Sequence, residues 1–274
     1  MFEWMGSAFD VPMMMVFNQM AQVSVVLDLI IVKFMMLDTV RILPIVTALI
    51  AVALMQKHLR DINQTFVTAL GGSFVAIFAA RIAQNISERP RPIFADIEGF
   101  RIPFGTELDI PADWSSFPSD TAALAFALAT AVLLRSRLLG SACLVWALVV
   151  STFPRVYAGY HYPSDILGGA IIGASSVMAV AYLSPSWLVS LSESVMRRSQ
   201  PIYYAAIFVA LYTTATMFFD VRQTLSAAAD ILLEDENTRT TAWGESLERE
   251  RIVAEGSSHS MELRPSKSPI IMVD

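Results

Sequence analysis

The sequence predicts an all-α protein: a polytopic membrane helical bundle of about six transmembrane helices with an N-terminal interfacial amphipathic helix. Three observations predict it. The chain is 55% hydrophobic and only 16% charged, with a mean hydropathy of +0.54, which is too apolar for a soluble domain of ordinary composition. Its apolar residues come in uninterrupted runs of spanning size, not in the alternation of half-buried strands. Its ionisable residues gather in the connections between those runs and in the last stretch of the chain.

Taken in order, residues 11–38 are apolar but interrupted by Asn18, Gln19, Gln22, Asp28, Lys33 and Asp38. That pattern favours a helix lying in the interface over a further span. Clear apolar runs follow at 42–55, 66–83, 122–134, 138–153 and 166–183, and a sixth at 202–219. Several are short, so each must continue into its flanks or cross a thinned bilayer. Gly168, Gly169, Ala170, Gly173 and Ala174 crowd the fifth run, as expected where helices approach closely in lipid. From residue 220 onward the chain turns polar and charged, with Glu-Asp-Glu at 234–236. Three parts are therefore expected: an N-terminal segment 1–40, a transmembrane domain 41–220, and a flexible polar tail 221–274.

Composition also excludes. The formal net charge is -6 and no basic patch suggests nucleic acid. A single cysteine, Cys143, allows no intramolecular disulfide. No basic stretch leads into an apolar run at the start, so no removable signal peptide is expected. Lys57 and Arg60, Arg135 and Arg137, and Arg197 and Arg198 fall in alternate connections, which the positive-inside rule puts in the cytoplasm. Segments 85–120 and 155–164 then face outward, and they hold the chemistry-bearing residues.

Phosphoryl transfer asks a protein for positive charge around the equatorial oxygens, an in-line nucleophile and help for the leaving oxygen. Arg89-Pro90-Arg91-Pro92 places two guanidiniums directly after a span. By themselves such arginines are ordinary interfacial anchors. Phe117-Pro118-Ser119-Asp120-Thr121 opens the third span, where unpaired N–H groups favour an anion, although Ser119 alone reads as a common N-cap. The run from Arg155 to Asp165 is the strongest local signal. His161 with Asp165 four positions later lets the carboxylate accept from one ring nitrogen and leave the other as a nucleophile.

The order and spacing of these residues resemble the type 2 phosphatidic acid phosphatase superfamily. Its three motifs are Lys, six residues, Arg-Pro; Pro-Ser-Gly-His or Pro-Ser-Asp-His; and Ser-Arg, five residues, His, three residues, Asp. Here the third matches from Arg155 through His161 to Asp165, with Pro154 in place of the leading Ser. The first matches at Arg91-Pro92, and the second at Pro118, Ser119 and Asp120. The resemblance implies His161 as nucleophile forming a phosphohistidine, Asp165 orienting it, Arg91, Arg155 and Ser119 holding phosphate, and no metal or cofactor. It also implies a lipid-linked phosphate substrate and a bacterial cytoplasmic membrane, with the site on the outer face. The oligomeric state has no signal.

Two positions depart from the pattern. Gln84 stands where the family has its lysine, and Thr121 where the family has the histidine that protonates the leaving group. Arg81, one turn before Gln84, can supply the missing cation, and Arg89 can assist. Without an acid, an alkoxide leaving group loses about 100-fold to 10,000-fold in rate. A phosphate leaving group, with a second pKa of about 6, departs unaided at neutral pH. The departure therefore favours a polyprenyl diphosphate over phosphatidic acid, with Asp120 as a surrogate acid only if burial raised its pKa. Three functions stay open: a hydrolase of such a lipid, a phosphotransferase, and a non-hydrolytic lipid-phosphate-binding member supporting envelope glycan assembly.

Overall fold

In the computed structural model, the described residues are 6–108, 115–183 and 186–216, and among them every regular element is helical. The tail expected over 221–274 lies outside them. A π-helical turn, Gly6–Asp10, leads into α1 (Val11–Asn18); α2 (Val25–Leu29) continues through a second π turn, Ile30–Phe34. The rest comprises α3 (Asp38–Arg41), α4 (Leu43–Leu54), α5 (Leu59–Ser87), α6 (Asp120–Leu133), α7 (Arg137–Trp146) with a π turn Ala147–Thr152 running into α8 (Phe153–Tyr157), α9 (Pro163–Leu183), α10 (Ser186–Arg198) and α11 (Gln200–Ala215).

Among the described residues three stretches are long and apolar enough to cross a membrane: Leu59–Phe94, Arg137–Tyr157 and Pro163–Leu183. α4 and α6 are shorter apolar helices. The expected runs therefore coincide with α4, α5, α6, α7 with α8, and α9, while α11 takes the described part of the sixth. The polar start of α5 is more helical than hydropathy suggested, because Asn63 turns inward and bonds the Leu59 carbonyl at 2.7 Å and Ser192 of α10 at 2.6 Å.

α6 is the centre of the bundle. Ala122, Ala123, Leu124, Ala125, Ala127 and Ala129 are all fully buried, and small side chains let neighbouring backbones come close, which is how helices gain contact in lipid. The glycines of α9 complete that approach. A Cβ on Gly169 would stand 2.3 Å from the Ser119 carbonyl oxygen, and one on Gly173 would stand 2.2 Å from that of Ala123. α5 packs on the other side, where a Cβ on Gly72 would meet the Val177 Cα at 2.8 Å. Through these contacts the start of α6 and the start of α9 meet at one end of the bundle.

The N-terminal segment, expected as an interfacial amphipathic helix, is helical but broken into pieces. It forms short helical pieces in which Asn18 and Asp28 point into the protein, while Gln19, Gln22 and Lys33 stay exposed. Asn18 exchanges two hydrogen bonds with the Arg101 backbone, at 2.7 and 2.8 Å. Asp28 accepts from the Tyr157 hydroxyl at 2.5 Å and from the amides of Phe104 and Gln22 at 2.9 and 3.0 Å. Val23, Val26, Ile30 and Phe34 are exposed instead. Asn18 and Asp28 inward with these apolar side chains outward is the arrangement expected where the surroundings are hydrocarbon.

The close approach of α6 and α9 yields a test. Gly169→Ala should destabilise the detergent-solubilised protein by about 1–3 kcal/mol or more, read as a lowered unfolding temperature, whereas Ala at the more open Gly71, 3.4 Å from the Val180 side chain, should not.

Candidate active site

The end of α8 sets the position of His161. Its last turn closes with Gly159 N–H on the Val156 carbonyl at 3.1 Å and Tyr160 N–H on the Arg155 carbonyl at 2.9 Å. Gly159 has a φ of +78°, so this is a Schellman closure, for which glycine is the natural residue. The closure turns the chain sharply, and His161 follows within two residues. It is only 2% exposed.

The Nδ1 of His161 lies 2.8 Å from the Ser116 carbonyl oxygen, while Asp165 Oδ2 is 3.7 Å away. A carbonyl oxygen only accepts, so Nδ1 carries the proton and Nε2 keeps its lone pair. The orienting acceptor is therefore the Ser116 backbone, and Asp165 acts at that distance as a charge. Burial pushes the imidazole below the ordinary histidine range; Asp165 opposes that shift, and the Arg155 and Arg91 cations reinforce it. At neutral pH the ring is neutral with Nε2 available.

Asp165 is held from other directions. Its Oδ1 accepts from Arg89 Nη1 at 2.6 Å, its Oδ2 from the Tyr162 amide at 2.7 Å, and its backbone carbonyl from the Ser119 amide at 3.0 Å. Arg89, 6% exposed, also reaches Ser164 Oγ at 2.8 Å and Asp10 Oδ2 at 2.5 Å, and its guanidinium lies 4.0 Å from the Tyr162 ring centroid. Asp10 in turn accepts from the Ser164 amide and hydroxyl at 2.8 and 2.6 Å. Expected to help hold substrate, Arg89 is instead clamped between two buried carboxylates. Sequence reasoning missed Asp10, which lies in the N-terminal segment far from any motif.

Backbone bonds stitch the loops of the site together. Ser116 N–H donates to the Arg89 carbonyl at 2.8 Å and Ile93 N–H to the Gly159 carbonyl at 2.9 Å. Ser119 caps α6, its Oγ accepting from the Ala122 amide at 3.4 Å.

The replaced family positions sit in a second cluster. Arg81 donates to Gln84 Oε1 at 3.2 Å and pairs with Asp120 Oδ2 at 2.7 Å, while Gln84 donates to the Pro118 carbonyl at 2.8 Å. The expected proximity of Arg81 to the Gln84 position holds. The ion pair with Arg81 engages the carboxylate that a surrogate acid at Asp120 would have to protonate. Thr121 is fully buried, and Arg41 Nη1 lies 3.5 Å from its hydroxyl. Arg41 carried no motif signal, since a basic residue at the start of a run reads as an anchor. Arg91 is half-buried among Asp120, Asp165 and Arg81, and Arg155 lies near Arg41, Asp120 and Arg91. Among the described residues no group of three or more His, Cys, Asp and Glu side chains could hold a metal ion.

Residues 62–188, which carry all three motifs, match the family model of the PAP2 superfamily. That match places residues 62–188 in the superfamily. The chain is 34% identical over 83 residues to undecaprenyl-diphosphatase BcrC of Bacillus subtilis (strain 168), covering 30% of this chain and 39% of the relative. It is 31% identical over 140 residues to the putative undecaprenyl-diphosphatase YbjG of Escherichia coli (strain K12), covering 51% and 65%. The chain thus spans less than two thirds of either relative's length. Among solved structures, the crystal structure of Aquifex aeolicus LpxE aligns over 63% of this chain and 94% of that one, at 22% identity and a TM-score of 0.48. The resemblance carried by the motifs is met over the matched residues; the N-terminal segment, outside them, contributes Asp10 to the site.

That contribution is testable. Asp10→Asn leaves the buried Arg89 with one carboxylate in place of two and removes a charge-assisted hydrogen bond, which should cost about 1.5–3 kcal/mol of stability. Thermal unfolding of the variant beside the exposed control Glu98→Gln checks this, and equal unfolding temperatures would contradict the clamp.

Proposed function

We propose that the chain is a membrane phosphatase that hydrolyses a lipid-linked diphosphate through a phosphohistidine at His161. One observation carries this reading: a buried His161 whose Nδ1–H is fixed on the Ser116 carbonyl at 2.8 Å, with Nε2 left as the nucleophile and the Arg155 and Arg91 cations acting on the ring. Nε2 attacks the terminal phosphorus, an N–P bond forms, and the bridging P–O bond breaks with its electron pair staying on the lipid phosphate. The ring becomes cationic, and Asp165, 3.7 Å from Nδ1, stabilises that charge. Water then attacks phosphorus, the N–P bond breaks, and inorganic phosphate leaves with both water protons while His161 regains its lone pair.

The substrate class rests on Thr121. No histidine stands where the family places its proton donor, so the leaving group must depart as an anion, which a phosphate with a second pKa of about 6 does at neutral pH. The relatives named undecaprenyl-diphosphatase support a polyprenyl diphosphate. We assign the end of the bundle carrying His161 to the extracytoplasmic side, on the alternation of basic connections.

In detergent, the protein should release phosphate from a polyprenyl diphosphate faster than from a polyprenyl monophosphate or phosphatidic acid. His161→Ala should lower that rate roughly ten-thousand-fold or more and abolish any acid-labile phosphoenzyme; full activity in the variant would overturn the mechanism. For orientation, Ser116 and Ser164 are too buried to label, so the probes are cysteines at the exposed Glu98 and Arg137. A membrane-impermeant thiol reagent should reach the first from outside and not the second. Labelling of both alike would refute the assigned orientation.

A further inference from the structure

Near Thr121, two arginines stand side by side with donors that nothing in the protein satisfies. Arg41 is 8% exposed. Its Nη2 pairs with Asp38, whose side chain is 43% exposed, and its Nη1 lies 3.5 Å from Thr121 Oγ1. Its Nε–H is buried without a partner, and so is the Nε–H of Arg155. Arg41 is also the charged neighbour that acts most strongly on Arg155. The backbone fixes Arg41 in place, its carbonyl accepting from Ser151 Oγ at 2.7 Å.

Two guanidiniums in a poorly solvated site repel one another, and each orphaned donor is an uncompensated loss of hydration. The water-exposed Asp38 relieves one of them in part. An oxyanion lying between them would satisfy both donors and cancel the repulsion.

We propose that Arg41, with Arg155, binds the lipid-proximal phosphate of a diphosphate substrate and stabilises it as the leaving group, replacing the proton donor absent at Thr121. This rests on the phosphatase reading above and deepens it. Thr121 sits where the family's acid faces the leaving oxygen, and Arg41 touches Thr121. A guanidinium cannot surrender a proton at working pH, so it does nothing for an alkoxide, but it neutralises a phosphate that leaves with the electron pair of the bridging P–O bond. Arg41 and Thr121 are then one device: a proton donor exchanged for a fixed cation, which selects diphosphates over monophosphates.

The test uses the full chain in detergent, with inorganic pyrophosphate and orthophosphate as probes in titration calorimetry. Wild type should bind pyrophosphate at least about tenfold more tightly than orthophosphate, the worth of one charge-assisted hydrogen bond. Arg41→Gln should bring that ratio close to unity, and Arg41→Lys, which keeps the charge without the planar fork, should leave it intermediate. If Arg41→Gln does not fold, Asp38→Asn supplies the opposite sign: freeing Arg41 from its carboxylate should raise the ratio. In turnover, Arg41→Gln should lower kcat/KM on a polyprenyl diphosphate by at least about tenfold more than on the monophosphate. A wild type without pyrophosphate preference, or variants that leave the ratio unchanged, would overturn the assignment. An Arg41-dependent preference in a wild type that releases no phosphate from either lipid would support the anion site and sink the hydrolase reading instead.

Discussion

Arg89 is buried between Asp10 and Asp165, and most of the site's geometry follows from how that guanidinium is satisfied. Its Nη1 fixes the carboxylate of Asp165 and the hydroxyl of Ser164 at the start of α9, and its Nη2 draws in the N-terminal segment through Asp10. Its backbone carbonyl receives the Ser116 amide, and the Ser116 carbonyl in turn receives the His161 ring. One residue therefore ties three loops and a distant segment to the orientation of a single imidazole. Buried ion pairs gain little net stability, because desolvation offsets the attraction. What such a pair does supply is a unique arrangement, since any alternative strands a charge.

The second organising feature is a surplus of positive charge. Arg41, Arg81, Arg91 and Arg155 converge on a region whose carboxylates are Asp38, Asp120 and, beside Arg91, Asp165. Concentrating like charges beside apolar helices is expensive, and proteins keep such groups where they serve a ligand. A substrate anion would return that energy on binding, which ties the site's electrostatic strain to its affinity for phosphate. The neutral, Nδ1-protonated His161 belongs to the same scheme: adjacent cations and burial keep the ring uncharged, and only an uncharged ring can attack.

Much of this was legible in the sequence, and what was not has a physical reason. The spacing of Arg155, His161 and Asp165 brought the right residues together because one turn, closed by Gly159, connects them. The glycine-rich run of α9 announced a close helix contact, and Arg81 beside Gln84 followed from helical periodicity. Asp10 and Arg41 were invisible because their partners lie far along the chain, and no local pattern marks such a pairing. The N-terminal segment was read only as an interfacial amphipathic helix; that Asn18 and Asp28 satisfy backbone groups of the loop following Arg89 has no local signal in the sequence. Arg89 itself looked like a phosphate ligand, since sequence alone does not show that Asp10 and Asp165 already hold its guanidinium. The acceptor for His161 is a backbone carbonyl, which carries no side-chain signature at all.

The account turns on the protonation state of one ring. The chain has 3 histidines, so nitrogen-15 NMR of histidine-labelled protein, with His161→Ala to assign the signal, reads that state directly. At pH 7 the account predicts a neutral His161 with its proton on Nδ1 and an unprotonated Nε2, titrating below the ordinary histidine pKa of about 6.5. An imidazolium at pH 7, or a neutral ring protonated on Nε2, would contradict it.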